Sequence, residues 1–303
     1  MTWDPGALHG KSKIRLLARL VRIEHTLFSL PYAYLGAALS CPQCLTYINA
    51  LLLALAVLGL RTASMAYNNI ADLDIDKENP RTKNRPLVTG ALRVRDAWTL
   101  VVLGSLLYYA SALLLNNIAF MLSPILWITA MSYPYHKRVS PLPHFHLGLT
   151  LGLVVFGGAV GVCGDCHAAS VEWCLYKVPW IYVLGVTLWV AGFDVYYSIM
   201  DRGFDEEHGV KSIPVLLGEE RSITLGGLLH LLAGGLFAYA IIVYRLKWIS
   251  IIATIISAAL LLYQHILARK GFIPRAFNLN LLLGVLLPTL VTLDALLHGL
   301  GGK

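Results

Sequence analysis

Residues 47–90 read YINALLLALAVLGLRTASMAYNNIADLDIDKENPRTKNRPLVTG. The first fourteen carry no charge and the next eleven only Arg61, after which three aspartates and a burst of lysines and arginines arrive together. The apolar part decides the fold, because only a helix keeps its backbone satisfied in lipid over such a length. The acidic part poses the chemical question, since a carboxylate at a membrane boundary is costly and usually functional.

The rest of the chain repeats the apolar theme. Of 303 residues 57% are hydrophobic and 14% charged, with a mean hydropathy of +0.67, whereas a soluble domain carries about 25% charged residues. No Asp, Glu, Lys or Arg occurs from His25 to Leu60, from Ala97 to His136 or from Val139 to Gly164. A spanning helix needs about 20 apolar residues, so the longer runs each hold more than one. The expected fold is all-α, one transmembrane domain over residues 1–303. Its nine spans fall at about 21–40, 46–72, 97–115, 119–137, 145–163, 178–203, 222–244, 247–268 and 279–298. CPQC (41–44), Asn116-Asn117 and Ser140-Pro141-Leu142-Pro143 supply breaks. The basic, polar first 20 residues lack a cleavage pattern, so no removable signal peptide is expected.

Charge then sets orientation. Nineteen lysines and arginines fall on the N-terminus and on the loops after spans two, four, six and eight, against Lys177, Arg245, Lys247 and Lys303 on the other side. By the positive-inside rule the N-terminus and the acidic stretch are cytoplasmic. The net charge of +7 is thus a topology signal in an integral cell membrane protein, and no nucleic-acid partner is read from it.

Asn68, Asp72 and Asp76 are spaced by four, one face of a helix, and Asp74 falls off it. A second run, DVYYSIMDRGFDEEHGVKSIPVLLG at 194–218, sets Asp194, Tyr197, Asp201 and Asp205 on a single face too. Asp72 to Asp201 and Asp76 to Asp205 are each 129 residues, and Pro86 to Pro214 and Gly90 to Gly218 are each 128. This suggests two related four-helix halves, at about 20–140 and 145–270, followed by a ninth helix at about 279–298, with the site where the halves meet. Facing carboxylates repel unless cations lie between them, and oxygen ligands favour Mg²⁺ shared with substrate phosphates. Arg81, Lys83, Arg85, Lys137, Arg138 and Lys211 supply the complementary base for phosphate oxygens. A diphosphate whose tail lives in a bilayer is most simply an isoprenyl diphosphate. The alternative from another class is a secondary transporter, which would hold its acids near mid-membrane. The bland reading of either acidic run alone is a solvated helix end.

These residues resemble the UbiA-type intramembrane prenyltransferases. Asn68-Asn69-Ile-Ala-Asp72-Leu-Asp-Ile-Asp76 with NPRTKNRP (79–86), Asp194-x2-Tyr197-x3-Asp201-Arg202-x2-Asp205 with GVKSIP (209–214), and YPYHKRVSPLPHFHLG (133–148) are similar to that family's motifs. RIEHTLFSLPYAYLG (22–36) is similar to the branch that prenylates hydroxybenzoate-type rings. Asn69 departs from the aspartate many members carry. The resemblance implies a nine-helix bundle with a cavity open sideways to lipid. The activity it implies is Mg²⁺-dependent prenyl transfer to an aromatic acceptor such as 4-hydroxybenzoate, with release of diphosphate. Glycerol phosphate or naphthoate are the alternative acceptors within the family.

On that reading two Mg²⁺ ions would be held by Asn68, Asp72, Asp76, Asp201 and Asp205, and the six basic residues would bind the diphosphate. Arg22, Tyr67, Tyr133, Tyr197 and His146 are candidates for the acceptor or prenyl pocket, and Asp194 for the base that takes the ring proton. A membrane-edge role for Arg22 and simple anchoring for the tyrosines weigh against this. Cys41-Pro-Gln-Cys44 and Cys163-Gly-Asp-Cys166 lie in outer-face loops, where disulfides, a zinc site or free thiols all remain open.

Overall fold

The computed structural model describes residues 12–22, 26–164 and 170–299. Every regular element among them is helical. In chain order these are α1 (Lys13–Val21), α2 (Thr26–Ser40), α3 (Tyr47–Ala71), α4 (Leu73–Glu78), α5 (Val94–Leu115), α6 (Asn117–Val139) and α7 (Pro143–Cys163). There follow α8 (Val171–Lys177), α9 (Trp180–Ser198), α10 (Arg202–Glu207), α11 (Ile213–Leu217), α12 (Glu219–Val243), α13 (Trp248–Arg269) and α14 (Ile273–Gly299). Among the described residues eight helices are long and apolar enough to cross a membrane, from α3 onward. The first expected span, 21–40, is described as the 15-residue α2.

Local chemistry sets the helix ends. The Thr46 hydroxyl accepts the Asn49 N–H at 3.2 Å and starts α3. Asn116 does the same for α6, its Oδ1 accepting the Ala119 N–H at 2.7 Å. Its Nδ2 also donates to the Val160 and Gly161 carbonyls at 3.1 and 2.9 Å. The break expected at Asn116 is therefore a cap that also latches the start of α6 to the end of α7.

The long helices close into a ring. α2 packs on α3 and α7, α3 on α5, α7 on α6 and α9, α9 on α12, and α12 on α13; α14 lies against α13 and returns to α2. The neighbour order α2–α3–α5–α6 reappears as α7–α9–α12–α13, with α14 as the odd helix. Small residues set the closest crossings, as expected where lipid supplies no hydrophobic drive between helices. A Cβ on Gly158 would meet the Ala33 carbonyl oxygen at 1.9 Å, and one on Gly36 would meet that of Val155 at 1.9 Å, so α2 and α7 touch backbone to backbone. Outward, large side chains such as Leu114 (70% exposed) and Ile242 (74% exposed) face away from the bundle. Together with the eight apolar helices they make this an integral membrane protein.

At the face opposite the acidic motifs, Cys41 and Cys44 form a disulfide, and Cys163 and Cys174 are buried free thiols. Cys166, the second cysteine of the Cys163-Gly-Asp-Cys166 pair, lies outside the described residues, as does Lys303.

Candidate functional site

Both acidic motifs sit where a long helix gives way to a short one. Asp72 ends α3 and precedes α4; Asp201 ends the single 3₁₀ turn that follows α9 and precedes α10. The breaks are mild, because the Asp76 N–H still reaches the Asp72 carbonyl at 2.8 Å. Asn68, Asp72 and Asp76 therefore keep their common face across the joint. They line a cavity of about 620 Å³, together with Asp194, Tyr197, Asp201 and Asp205 from the other half. Asp74 lies outside it, bound by Arg138 at 2.8 and 3.0 Å. That guanidinium holds the Asp74 carboxyl down to about 2, below the ordinary carboxylate range.

The cavity has two chemistries. Its lining carries five aspartates and six cations, Arg22, Arg61, Arg81, Arg85, Lys137 and Lys211, of which Arg61 stands eleven residues, about 16 Å, back along α3 from Asp72. Below them the wall turns apolar and follows α3 back as far as Leu53. Leu53 and Asp72 are nineteen residues apart, which on a helix is about 28 Å, close to the ~30 Å hydrocarbon thickness of a bilayer.

At the charged end three of the acids, Asp72, Asp76 and Asp201, are each matched with a base. Arg81 spans the two motifs: its Nε donates to Asp201 Oδ1 at 2.7 Å and its Nη2 binds Oδ2. Its Nη1 donates to the Tyr197 hydroxyl at 3.1 Å, with the guanidinium 5.1 Å from that ring's centre. Arg85 pairs with Asp76, and Lys137 Nζ lies 2.8 Å from Asp72 Oδ1. Burial pushes Asp76 above the ordinary carboxylate value; Arg85 opposes the shift and the charge of Asp72 reinforces it. Lys211 also lines the cavity, its Nζ donating to the Val139 carbonyl at 3.2 Å.

Among the described residues no three His, Cys, Asp or Glu side chains form a ready metal cage. Mg²⁺ does not require one: it is usually held by one or two carboxylates and completes its shell with water and substrate phosphates. Two pairs of buried or half-buried carboxylates on facing helix joints, with Asn68 beside them, fit that mode of binding. The neighbouring bases fit the phosphates.

Four expected residues lie elsewhere. Lys83 is exposed and does not line the cavity, although it lies between Arg81 and Arg85, which do. Arg138 is taken by Asp74. The Tyr67 hydroxyl meets that of Tyr135 at 2.8 Å away from the cavity. His146 is engaged between α6 and α7 by His136 Nδ1 at 2.8 Å and the Thr129 carbonyl at 2.8 Å. Arg22 and Tyr133 do line the cavity.

Two further residues belong to the site. Asn79 Nδ2 donates to Asp201 Oδ1 at 3.3 Å while its Oδ1 accepts the Arg81 N–H at 2.8 Å, tying the motifs together. His144 Nδ1 lies 2.7 Å from Asp194 Oδ2, and its Nε2 accepts the Ile213 N–H at 3.3 Å. Since Nε2 is an acceptor, the proton is on Nδ1 and is donated to Asp194. Asn79 opens the NPRTKNRP tail and was legible there; the pairing of His144 with a residue fifty positions away was not. Asn69 faces away from the cavity, donating to the Leu20 and Met65 carbonyls at 3.2 and 2.8 Å.

The UbiA prenyltransferase family matches the chain over residues 29–282. The 4-hydroxybenzoate octaprenyltransferase of Alkalilimnicola ehrlichii is 32% identical over 217 residues, which are 71% of this chain and 70% of that protein. A UbiA homolog from Aeropyrum pernix K1, solved in its apo form, shares the fold at a TM-score of 0.87 and 50% identity, over 90% of this chain and 98% of that one. A UbiA homolog from Archaeoglobus fulgidus bound to GPP and Mg²⁺ matches at a TM-score of 0.68 and 22% identity, over 91% of this chain and 99% of that one.

Proposed function

Because the chain belongs to the UbiA prenyltransferase family, we propose that it transfers a prenyl group from an isoprenyl diphosphate to an aromatic acceptor such as 4-hydroxybenzoate. The observation that carries this is the cavity's division into a zwitterionic end and an apolar arm of bilayer length. One end suits a metal-bound diphosphate and the other a long hydrocarbon tail. The name of the A. ehrlichii relative supports the acceptor, and the GPP and Mg²⁺ of the A. fulgidus homolog support the donor and the ion. Membership of a prenyltransferase family removes the transporter alternative.

Asn68, Asp72, Asp76, Asp201 and Asp205 would hold divalent cations, two in our reading, which supply Lewis-acid stabilisation of the leaving diphosphate. Arg81, Arg85, Lys137 and Lys211 would bind the phosphate oxygens and stabilise the charge that grows as the allylic C–O bond breaks. The buried apolar wall keeps water from the cation-like prenyl fragment, and Tyr133 and Tyr197 line the same space. A carbon–carbon bond then forms at the ring carbon ortho to the acceptor hydroxyl. Asp194 takes the displaced ring proton, its carboxylate oriented by the His144 Nδ1–H. The basic loops that carry this chemistry would face the cytoplasm, as their charge excess favours.

Incubation of the purified protein with labelled geranyl diphosphate, Mg²⁺ and 4-hydroxybenzoate should yield prenylated ring and free diphosphate. Transfer to a naphthoate or a glycerol phosphate alone would select those acceptors instead. No transfer to any of the three would overturn the reading.

A further inference from the structure

The joint at Asp72 carries a splint that takes no part in the steps above. α3 ends at Ala71 and α4 starts at Leu73. An unbroken helix would give the Ala71 carbonyl the Ile75 N–H, four residues on; the break withdraws that bond. A carbonyl orphaned at a helix end needs another donor, and here it comes from α6. Arg138 Nη2 donates to the Ala71 oxygen at 2.6 Å. The same guanidinium grips Asp74, in the first turn of α4, at 2.8 and 3.0 Å. One side chain thus holds the helix on either side of Asp72.

The end of α6 reaches both motifs. The Tyr135 hydroxyl meets that of Tyr67, one turn before the joint, at 2.8 Å, and Lys137 Nζ meets Asp72 itself. From the second half, Lys211 gives its N–H to the Lys137 carbonyl at 2.8 Å and its Nζ to the Val139 carbonyl at 3.2 Å. The second joint has no splint of this kind: at the 129-residue offset, the position of Asp74 is taken by Gly203, which has no side chain. Exposure narrows what the pair is for. The Asp74 and Arg138 side chains are 64% and 36% exposed, and an ion pair so open to water adds little to folding. What a two-pronged guanidinium adds is direction.

We infer that Asp74 and Arg138 are positioning residues: acting as a pair, they fix the joint and so place the Asp72 carboxylate for the divalent cation. This rests on the metal and diphosphate site proposed above. Arg138 then acts on the ion through Asp74 and the Ala71 carbonyl, and does not itself bind phosphate.

The test is Mn²⁺ binding to the full-length protein in detergent, with inorganic diphosphate present, read by electron paramagnetic resonance. The variants are Asp74→Asn, Arg138→Gln and the two combined. Partners that orient a metal ligand typically matter by about 10–100-fold in metal affinity. Each single variant should therefore weaken Mn²⁺ binding about tenfold, and the double variant no more than the worse single, as for two residues that work as one. The KM for 4-hydroxybenzoate should stay within about twofold of wild type. Because Asp74 is exposed, Asp74→Asn carries the test should Arg138→Gln not fold. Normal binding in Asp74→Asn beside a loss in Arg138→Gln would overturn the inference, since Arg138 would then act on the diphosphate directly. So would losses that multiply in the double variant, or a lower melting temperature with unchanged Mn²⁺ affinity. A wild type that binds Mn²⁺ with diphosphate but prenylates none of the three acceptors removes the functional reading alone, and the affinities of the variants still decide the role of the pair. A wild type that binds neither removes both.

Discussion

Asp72 and Asp201 occupy the same backbone conformation at the same point of their motifs, with φ −96°, ψ 3° and φ −98°, ψ −4°. Each is the hinge between a long helix and a short one, and each hinge aims a second aspartate, Asp76 or Asp205, into one cavity. The two matched joints bring the two acidic motifs face to face, as the proposed metal and diphosphate site requires.

Replacing either hinge acid by Asp72→Ala or Asp201→Ala should lower kcat by about 10²–10³-fold, the usual cost of one electrostatic element of a transition-state site. Steady-state prenyl transfer measures it, with melting temperature as the control for folding. Undiminished turnover in either variant would remove the metal assignment.

Burial raises the pKa of Asp76, so the folded protein binds that proton more tightly than the unfolded chain does. The group therefore stabilises the metal-free fold below about pH 4, the unfolded carboxylate value, and that stability is lost as pH rises through the raised folded value. A cation must displace this proton. The thermal stabilisation by Mg²⁺ should accordingly grow as pH rises above about 4, as read in melting curves with and without EDTA. A shift that is flat with pH would contradict this.

Asn69 donates two hydrogen bonds to carbonyls and is 6% exposed. Asn69→Asp, although it restores the acid common in the family, turns both donors into acceptors facing acceptors. It should cost about 2–3 kcal/mol of stability and leave residual transfer at low temperature, since the side chain does not reach the cavity. An unchanged melting temperature would refute the structural role.

Removing the proposed base by Asp194→Asn should slow transfer about 10²–10³-fold without changing either KM by more than a few-fold. His144→Phe should lower kcat less, by about tenfold, because it removes the orienting Nδ1–H and spares the base, and it should also lower the melting temperature by stranding the Ile213 N–H. Equal effects in kcat from both, with loss of substrate binding, would point to a packing role for the pair.

Much of the fold was legible because lipid imposes a simple rule. Charge-free runs located the helices from α3 onward, and caps such as Asn116 marked their breaks. The working face of the first motif was also legible, since spacing by four survives the joint at Asp72. Spacing does not tell which face of a helix a bundle turns inward, and so Tyr67 and His146 were expected at the cavity and lie elsewhere. Nor does it reveal partners: Arg138 is held by Asp74, and Asp194 is served by His144, through contacts that exist only once the helices are packed together.

The ion pairs at the charged end have a consequence for selectivity. Arg81 is bound to Asp201, Arg85 to Asp76 and Lys137 to Asp72, so an anion alone can free a base only by stranding an acid, and a cation alone does the reverse. Only a ligand bringing both charges lets every partner be exchanged rather than lost. The site should therefore act as a coincidence detector, binding diphosphate and Mg²⁺ jointly far more tightly than either alone; calorimetric titration showing equal affinity for metal-free diphosphate would rule this out.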